Sequence, residues 1–197
     1  MRHSTTATWL AWIAVLCWPS WAGADEAMWS LLQGGGQVVL IRHAQTGPGA
    51  GDPPGMRLED CATQRNLSDQ GRQDAAALGR EFRRRAVPIG DLLSSPWCRC
   101  LETARLAFRR EPRTHKALSN LYGRSEHADG QVTQLKSLIA RRGRNGSDAA
   151  GNLVLLTHGS TIHALTGVSP ASGEMVVLSP QPDGGFRVAG RIDLARR

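Results

Sequence analysis

The chain predicts an α/β domain of three layers, with helices on both faces of a central sheet. Two observations carry this. Short apolar runs alternate with stretches whose apolar residues recur at helical spacing, and three of those runs end beside a residue that can grip an anion. Val38-Val39-Leu40-Ile41 ends in Arg42-His43. Asp91-Leu92-Leu93-Ser94-Ser95-Pro96 leads to Arg99, and Leu153-Val154-Leu155-Leu156-Thr157 ends in His158-Gly159. In an open α/β sheet, ligands bind beyond the carboxyl ends of the strands, so three such endings can converge on one anion despite their separation in sequence.

Taken in order, the chain opens on a basic head, Met1-Arg2-His3, followed by an apolar run from Trp9 to Trp18 and the small-residue pattern Ala22-Gly23-Ala24. This is the pattern of a secretory signal peptide over residues 1–24, leaving one domain over 25–197 and a periplasmic or secreted protein. The run is short for a membrane span, and no stable span is expected after cleavage. A helix or turn around Glu26 to Leu32 follows, and Gly34-Gly35-Gly36 breaks the chain before the strand Gln37 to Ile41. The triplet precedes a strand and lacks a Lys-Ser/Thr ending, so it is not a nucleotide-binding loop.

Residues 47–66 are rich in glycine and proline and show little periodicity, which predicts a long loop walling the region beyond His43. Ser68 is placed to cap a helix carrying Ala75, Leu78, Gly79 and Phe82, closed by Pro88. A second strand spans Asp91 to Ser94, and Leu101, Ala104 and Phe108 stripe the next helix, with Arg99 in its first turn, where N–H groups favour an anion. Val132, Leu135, Leu138 and Ile139 mark a third helix ending at Gly143. Leu153 to Thr157 is apolar enough for a strand covered on both faces. Met175 to Leu178 and Phe186 to Ile192 complete the strands.

The formal charge is +7. Removal of residues 1–24 takes away Arg2 as their only residue of that count and leaves +6. The basic clusters, such as Arg83-Arg84-Arg85 and Arg109-Arg110, fall on or just beyond helices, where they suit helix C-termini. No aromatic-interleaved basic patch accompanies them, so no nucleic-acid partner is expected. Cys61, Cys98 and Cys100 remain in the mature chain, and an oxidising compartment predicts a bridge from Cys61 to Cys98 or Cys100. No His-Glu-x-x-His or paired Cys-x-x-Cys spacing is present, so neither metal nor cofactor is expected.

Four ordered segments resemble the histidine phosphatase superfamily: Arg42-His43, Asn66-Leu67-Ser68-Asp69-Gln70-Gly71, Ser94-Ser95-Pro96 through Arg99 to Thr103-Ala104, and Thr157-His158-Gly159. The resemblance covers most of the chain after about residue 35 and implies the phosphoglycerate mutase-like fold, a three-layer α/β/α sandwich with a mostly parallel central sheet. It further implies a nucleophilic His43 and a phosphate pocket made by Arg42, Arg99 and His158; on the chemistry of a phosphate dianion, a protonated His158 is expected to add a further donor. Relatives place a proton-donating acid in the region matching Leu118 to Gln131. Glu126 is the expected donor, with Asp129 and Glu174 as alternatives, while His127 and His163 are expected to be surface or supporting residues.

Two arginine forks match the oxygens of a phosphate, and a neutral imidazole can attack phosphorus. The expected activity is an exported phosphatase that hydrolyses phosphate monoesters through a phosphohistidine intermediate. Its substrate class is a phosphorylated small molecule or a cell-envelope sugar phosphate. A protein-phosphohistidine phosphatase and a non-catalytic phosphate-binding module are the alternatives.

Overall fold

The computed structural model describes residues 21–144 and 151–196. The helices are α1 (Trp21–Gln33), α2 (Asp69–Arg84), α3 (Cys98–Phe108), α4 (Ala128–Arg144) and α5 (Gly159–Thr166). The strands are β1 (Val38–Arg42), β2 (Ile89–Ser94), β3 (Arg113–Thr114), β4 (Asn152–Thr157), β5 (Met175–Pro180) and β6 (Phe186–Ile192). Residues 1–20 of the expected signal peptide lie outside the described residues, and α1 already begins at Trp21. No helix among the described residues is long and apolar enough to cross a membrane.

Six strands form one sheet in the order β3-β2-β4-β1-β5-β6. The first four are mutually parallel, while β5 pairs antiparallel with both β1 and β6. Strand β1 shows why the domain has three layers, because its side chains alternate between two cores. Val39 and Ile41 pack with Trp29 of α1, Leu78 and Phe82 of α2 and Ala104 and Ala107 of α3. Val38 and Leu40 pack with Leu135 and Ile139 of α4 and Ile162 and Leu165 of α5. The all-buried β4 lies beside β1 in register Val38 to Leu153 through Arg42 to Thr157, so both strands stop at the same level.

Elements form where propensity and caps agree. Ser68 caps α2 by accepting from the Gly71 N–H at 3.0 Å, as its sequence position predicts. The two-residue β3 was not anticipated, since so short an edge strand has no periodicity to read. Helix α4 starts at Ala128, before Val132, and its first turn, Ala128-Asp129-Gly130-Gln131, carries no apolar stripe by which periodicity would reveal it. The buried polar Asn152 is satisfied: it accepts from Gln37 N and donates to Leu32 O and Pro88 O, fixing the entry ends of β1 and β4.

Two glycines set how closely α2 approaches its neighbours. A Cβ on Gly71 would lie 1.9 Å from Gln45 O, on the segment leaving His43. A Cβ on Gly79 would lie 1.8 Å from Ala107 O in α3, a backbone atom that cannot swing aside. Gly79→Ala must therefore push α2 away from α3, outweighing its gain in helix propensity of about 1 kcal/mol. Denaturant titration is expected to show a net loss of roughly 1–3 kcal/mol.

Candidate active site

The exit ends of β1, β4 and β2 lie side by side, and the chain continues from each into one cavity of about 460 Å³. Arg42 and His43 leave β1, His158 leaves β4 as the residue before α5, and Arg99 comes from the first turn of α3 beyond β2. All four line the cavity, together with Arg65, Asn120, Tyr122, Ser160 and His163. The ladder continues past the strand ends, with His43 N donating to Thr157 O at 2.9 Å and Ser95 N to Leu156 O at 2.8 Å. Thr103 ties the segments together: its Oγ1 accepts from Ala44 N at 3.1 Å and donates to Arg99 O at 2.7 Å.

His43 is buried, with Nδ1 2.9 Å from Ala44 O. A carbonyl can only accept, so Nδ1 carries the proton and Nε2 keeps its lone pair. Burial drives its pKa down to about 3, and Arg99 and Arg42 push the same way against the raising bond to Ala44. The imidazole is thus neutral and nucleophilic across the physiological range.

His158 stands edge-on to His43, their ring centres 5.3 Å apart. Its Nε2 meets Ser95 Oγ at 2.8 Å and its Nδ1 faces Arg99 Nη2 at 3.4 Å. Burial, then His43 and Arg99, hold its pKa well below the ordinary value. The free site therefore contains a neutral His158, not the expected protonated donor, because the ring is buried and shares the cavity with His43 and three arginines.

Arg42 donates from Nη1 to Pro170 O at 2.9 Å, its backbone N donates to Glu174 O, and its Nε is buried without a partner. Burial and the neighbouring Arg65 and Arg99 lower its proton affinity, which marks a site short of negative charge. Gly159 leaves room for its stem, since a Cβ there would lie 3.4 Å from Arg42 Cδ and Nε. Arg99 is 1% exposed and forks onto Asp52, with Nη1 to Oδ1 at 2.5 Å and Nη2 to Oδ2 at 3.1 Å.

The expected acids lie elsewhere. Glu126 sits in a 3-10 turn with its side chain 65% exposed beside His127, and Asp129 is exposed at the start of α4. Glu174 is buried, with its carboxylate on Arg191 and on Ala171 N. None of the three lines the cavity. His163, expected at the surface or in support, lines the rim, its Nδ1 3.2 Å from Ser169 Oγ.

Sequence reading missed Arg65 and Asp52, which share the aperiodic loop after His43. Arg65, just before the Asn66-Leu67-Ser68 segment, could have been found as a cation flanking a matched motif. Cys61 is bridged to Cys98 across 37 residues, pinning that loop beside Arg99, and Cys100 is free and buried.

Residues 38–129 match the model of the Histidine phosphatase superfamily (branch 1). No protein of curated function matches the chain in sequence. Among solved structures, the protein histidine phosphatase SixA complexed with tungstate is similar at 14% identity and a TM-score of 0.59, over 81% of this chain and 98% of that one. A phosphoglycerate mutase from Bacillus anthracis str. Sterne is similar at 17% identity and a TM-score of 0.54, over 79% of this chain and 93% of that one. A phosphoserine phosphatase from Entamoeba histolytica in complex with 3-phosphoglyceric acid is similar at 14% identity and a TM-score of 0.52, over 80% of this chain and 96% of that one. The fold is thus phosphoglycerate mutase-like.

The depressed histidines set a pH dependence of stability. Above the ordinary value of 6.5 both folded and unfolded forms of His43 are neutral; between 6.5 and about 3 the unfolded chain takes a proton that the folded one refuses. Stability should therefore fall as pH is lowered through that window, each such histidine adding a slope approaching about 1.4 kcal/mol per pH unit. Denaturant titrations at stepped pH should show the slope diminished in a His43→Asn variant. The pKa loss the same residue suffers also places the acid limb of any His43-dependent rate well below pH 6.5.

Proposed function

We propose, from the match of residues 38–129 to the histidine phosphatase superfamily model and the likeness in fold to solved phosphatases, that the protein hydrolyses phosphate monoesters with His43 as nucleophile. The observation that carries this reading is a neutral, buried imidazole with a free Nε2, held in a cavity lined by three arginines. The guanidinium groups supply the forked donors and positive charge that a phosphoryl group needs, and catalysis of phosphoryl transfer is mainly positioning and electrostatic stabilisation. His43 Nε2 takes the phosphoryl group as the ester oxygen departs, and water then releases phosphate. With charge supplied by arginine, the reaction proposed is metal-independent.

The proposed setting is the periplasm or the exterior. The signal-like amino terminus and a Cys61–Cys98 bridge beside the site support it, since disulfides persist in oxidising compartments. There the accessible substrates are small or cell-envelope phosphate esters, a sugar phosphate foremost. A protein-phosphohistidine phosphatase is the second reading, favoured by the likeness to SixA over nearly all of that chain.

His43→Ala should abolish turnover, and rapid quench of the wild type should trap an acid-labile, base-stable phosphoryl group. A panel of sugar phosphates, phosphoserine and a phosphohistidine peptide separates the two readings. Arg99→Ala should cost about 10²–10³ in kcat, as for loss of a positioned donor. Arg99→Lys should recover only part, because it keeps the charge without the fork. Normal turnover by His43→Ala would refute the nucleophile.

A further inference from the structure

Arg99 has five N–H donors, and the free protein already uses four. Nη1 gives to Asp52 Oδ1 at 2.5 Å and to Arg65 O at 3.3 Å, while Nη2 gives to Asp52 Oδ2 at 3.1 Å and faces His158 Nδ1 at 3.4 Å. The fifth, on Nε, is sealed from solvent without a partner. No part of the Arg99 fork is therefore open to a phosphate while Asp52 holds it. Asp52 is itself well anchored, accepting from Trp97 Nε1 at 3.0 Å and from Arg65 N at 3.3 Å, with its side chain only 10% exposed. Asp52 does not itself line the cavity in the free protein, but Gly49, Ala50 and Gly51 just before it do, and among the described residues it is the carboxylate hydrogen-bonded to an arginine side chain that lines it.

We propose that Asp52 is the proton donor to the leaving oxygen, and that Arg99 holds it in reserve until the substrate's phosphoryl group takes its place. The proposal rests on the phosphatase reading and supplies the acid that Glu126, Asp129 and Glu174 are not positioned to be. A dianion and a carboxylate cannot share one guanidinium fork without repulsion, so the phosphoryl group that binds Arg99 displaces Asp52. The backbone allows a local swing: Gly49 and Gly51 precede Asp52 at φ of 102° and 74°. The Cys61–Cys98 bridge keeps the far end of the loop in place.

Displacement also reverses the acid chemistry of Asp52. In the free protein its carboxylate is stabilised by bonds from Arg99, Trp97 and Arg65 N, which overcome the effect of burial. The charged or titratable groups that face it are Arg99 and the Cys100 thiol from α3 and Arg65 from its own loop. Once off Arg99 and beside a dianion, its proton affinity rises and it takes one proton from solvent. As the His43 Nε2–phosphorus bond forms and the ester bond breaks, that proton passes to the leaving oxygen and the alcohol departs neutral. The carboxylate then takes a proton from the attacking water, the nitrogen–phosphorus bond breaks with its electron pair returning to Nε2, and inorganic phosphate is released.

The test is Asp52→Asn, which keeps size and an acceptor for Trp97 but removes the charge. Calorimetry with sulfate, a dianion that does not titrate near neutrality, is run in buffers of different ionisation enthalpy to count protons. The wild type should take up close to one proton per sulfate. Asp52→Asn should take up none and bind sulfate roughly tenfold tighter, having lost the internal competitor. In turnover it should lose about 10²–10⁴-fold on an alkyl phosphate and far less on p-nitrophenyl phosphate, whose leaving group needs little protonation. Weaker or equal sulfate binding would make Asp52 a positioning residue for Arg99 and overturn the proposal, as would equal losses on both esters. A wild type that binds sulfate with proton uptake but turns over neither ester would sink the phosphatase reading, and with it the proton-donor role, while leaving the exchange at Arg99 supported.

Discussion

Arg42, Arg65 and Arg99 line one cavity, and the mutual repulsion of their charges sets the terms for everything around them. A guanidinium as deeply buried as Arg99 needs a partner, and Asp52 supplies it. Both imidazoles respond by staying neutral, His43 through burial and the nearby cations and His158 through burial, His43 and the same cations. What remains is a cavity in which added negative charge relieves strain among cations instead of creating it. The nucleophile is prepared by the same field, since a histidine that cannot be protonated keeps its lone pair.

The scaffold holds these like charges together by spreading their supports over separate elements. Arg42 is fixed by β1 and by the Pro170–Glu174 loop, Arg99 by α3 and the loop after His43, and His158 by β4 and Ser95. Equal stopping levels of β1 and β4 place Arg42 beside Thr157, one residue from His158. Close backbone approaches at Gly71 and Gly79 hold α2 against Gln45 in the segment after His43 and against Ala107 of α3, the helix that carries Arg99. Displacing any one support leaves the other cations facing each other across a wider gap, so the geometry of the cavity belongs to the whole layer and not to one loop.

Legibility in the sequence followed periodicity. The apolar runs of β1 and β4 and the stripes of α2 and α3 are long enough to declare themselves, and Arg42, His43, Arg99 and His158 were readable because each sits at a fixed offset from such a run. Arg65 and Asp52 lie in a stretch where glycine and proline erase periodicity, so only the folded loop shows that they meet Arg99. Glu126 was expected from the position of an acid in relatives, yet a short turn leaves it facing solvent. The charge state of His158 was unreadable for another reason, because protonation depends on how deeply the fold buries the ring and then on the charges packed beside it, and no local pattern records either.

Cys100 lies two residues from Cys98 of the bridge, in the same first turn of α3, with its thiol 3.5 Å from His158 Nε2. A free thiol so near a disulfide invites exchange, which proceeds through the thiolate. Here burial pushes the thiol up to about 12. At neutral pH the buried thiol therefore stays protonated. The bridge is thereby shielded from its own neighbour: the interior that neutralises the two imidazoles also holds the sulfur as a thiol, and the loop's tether is protected from exchange with it.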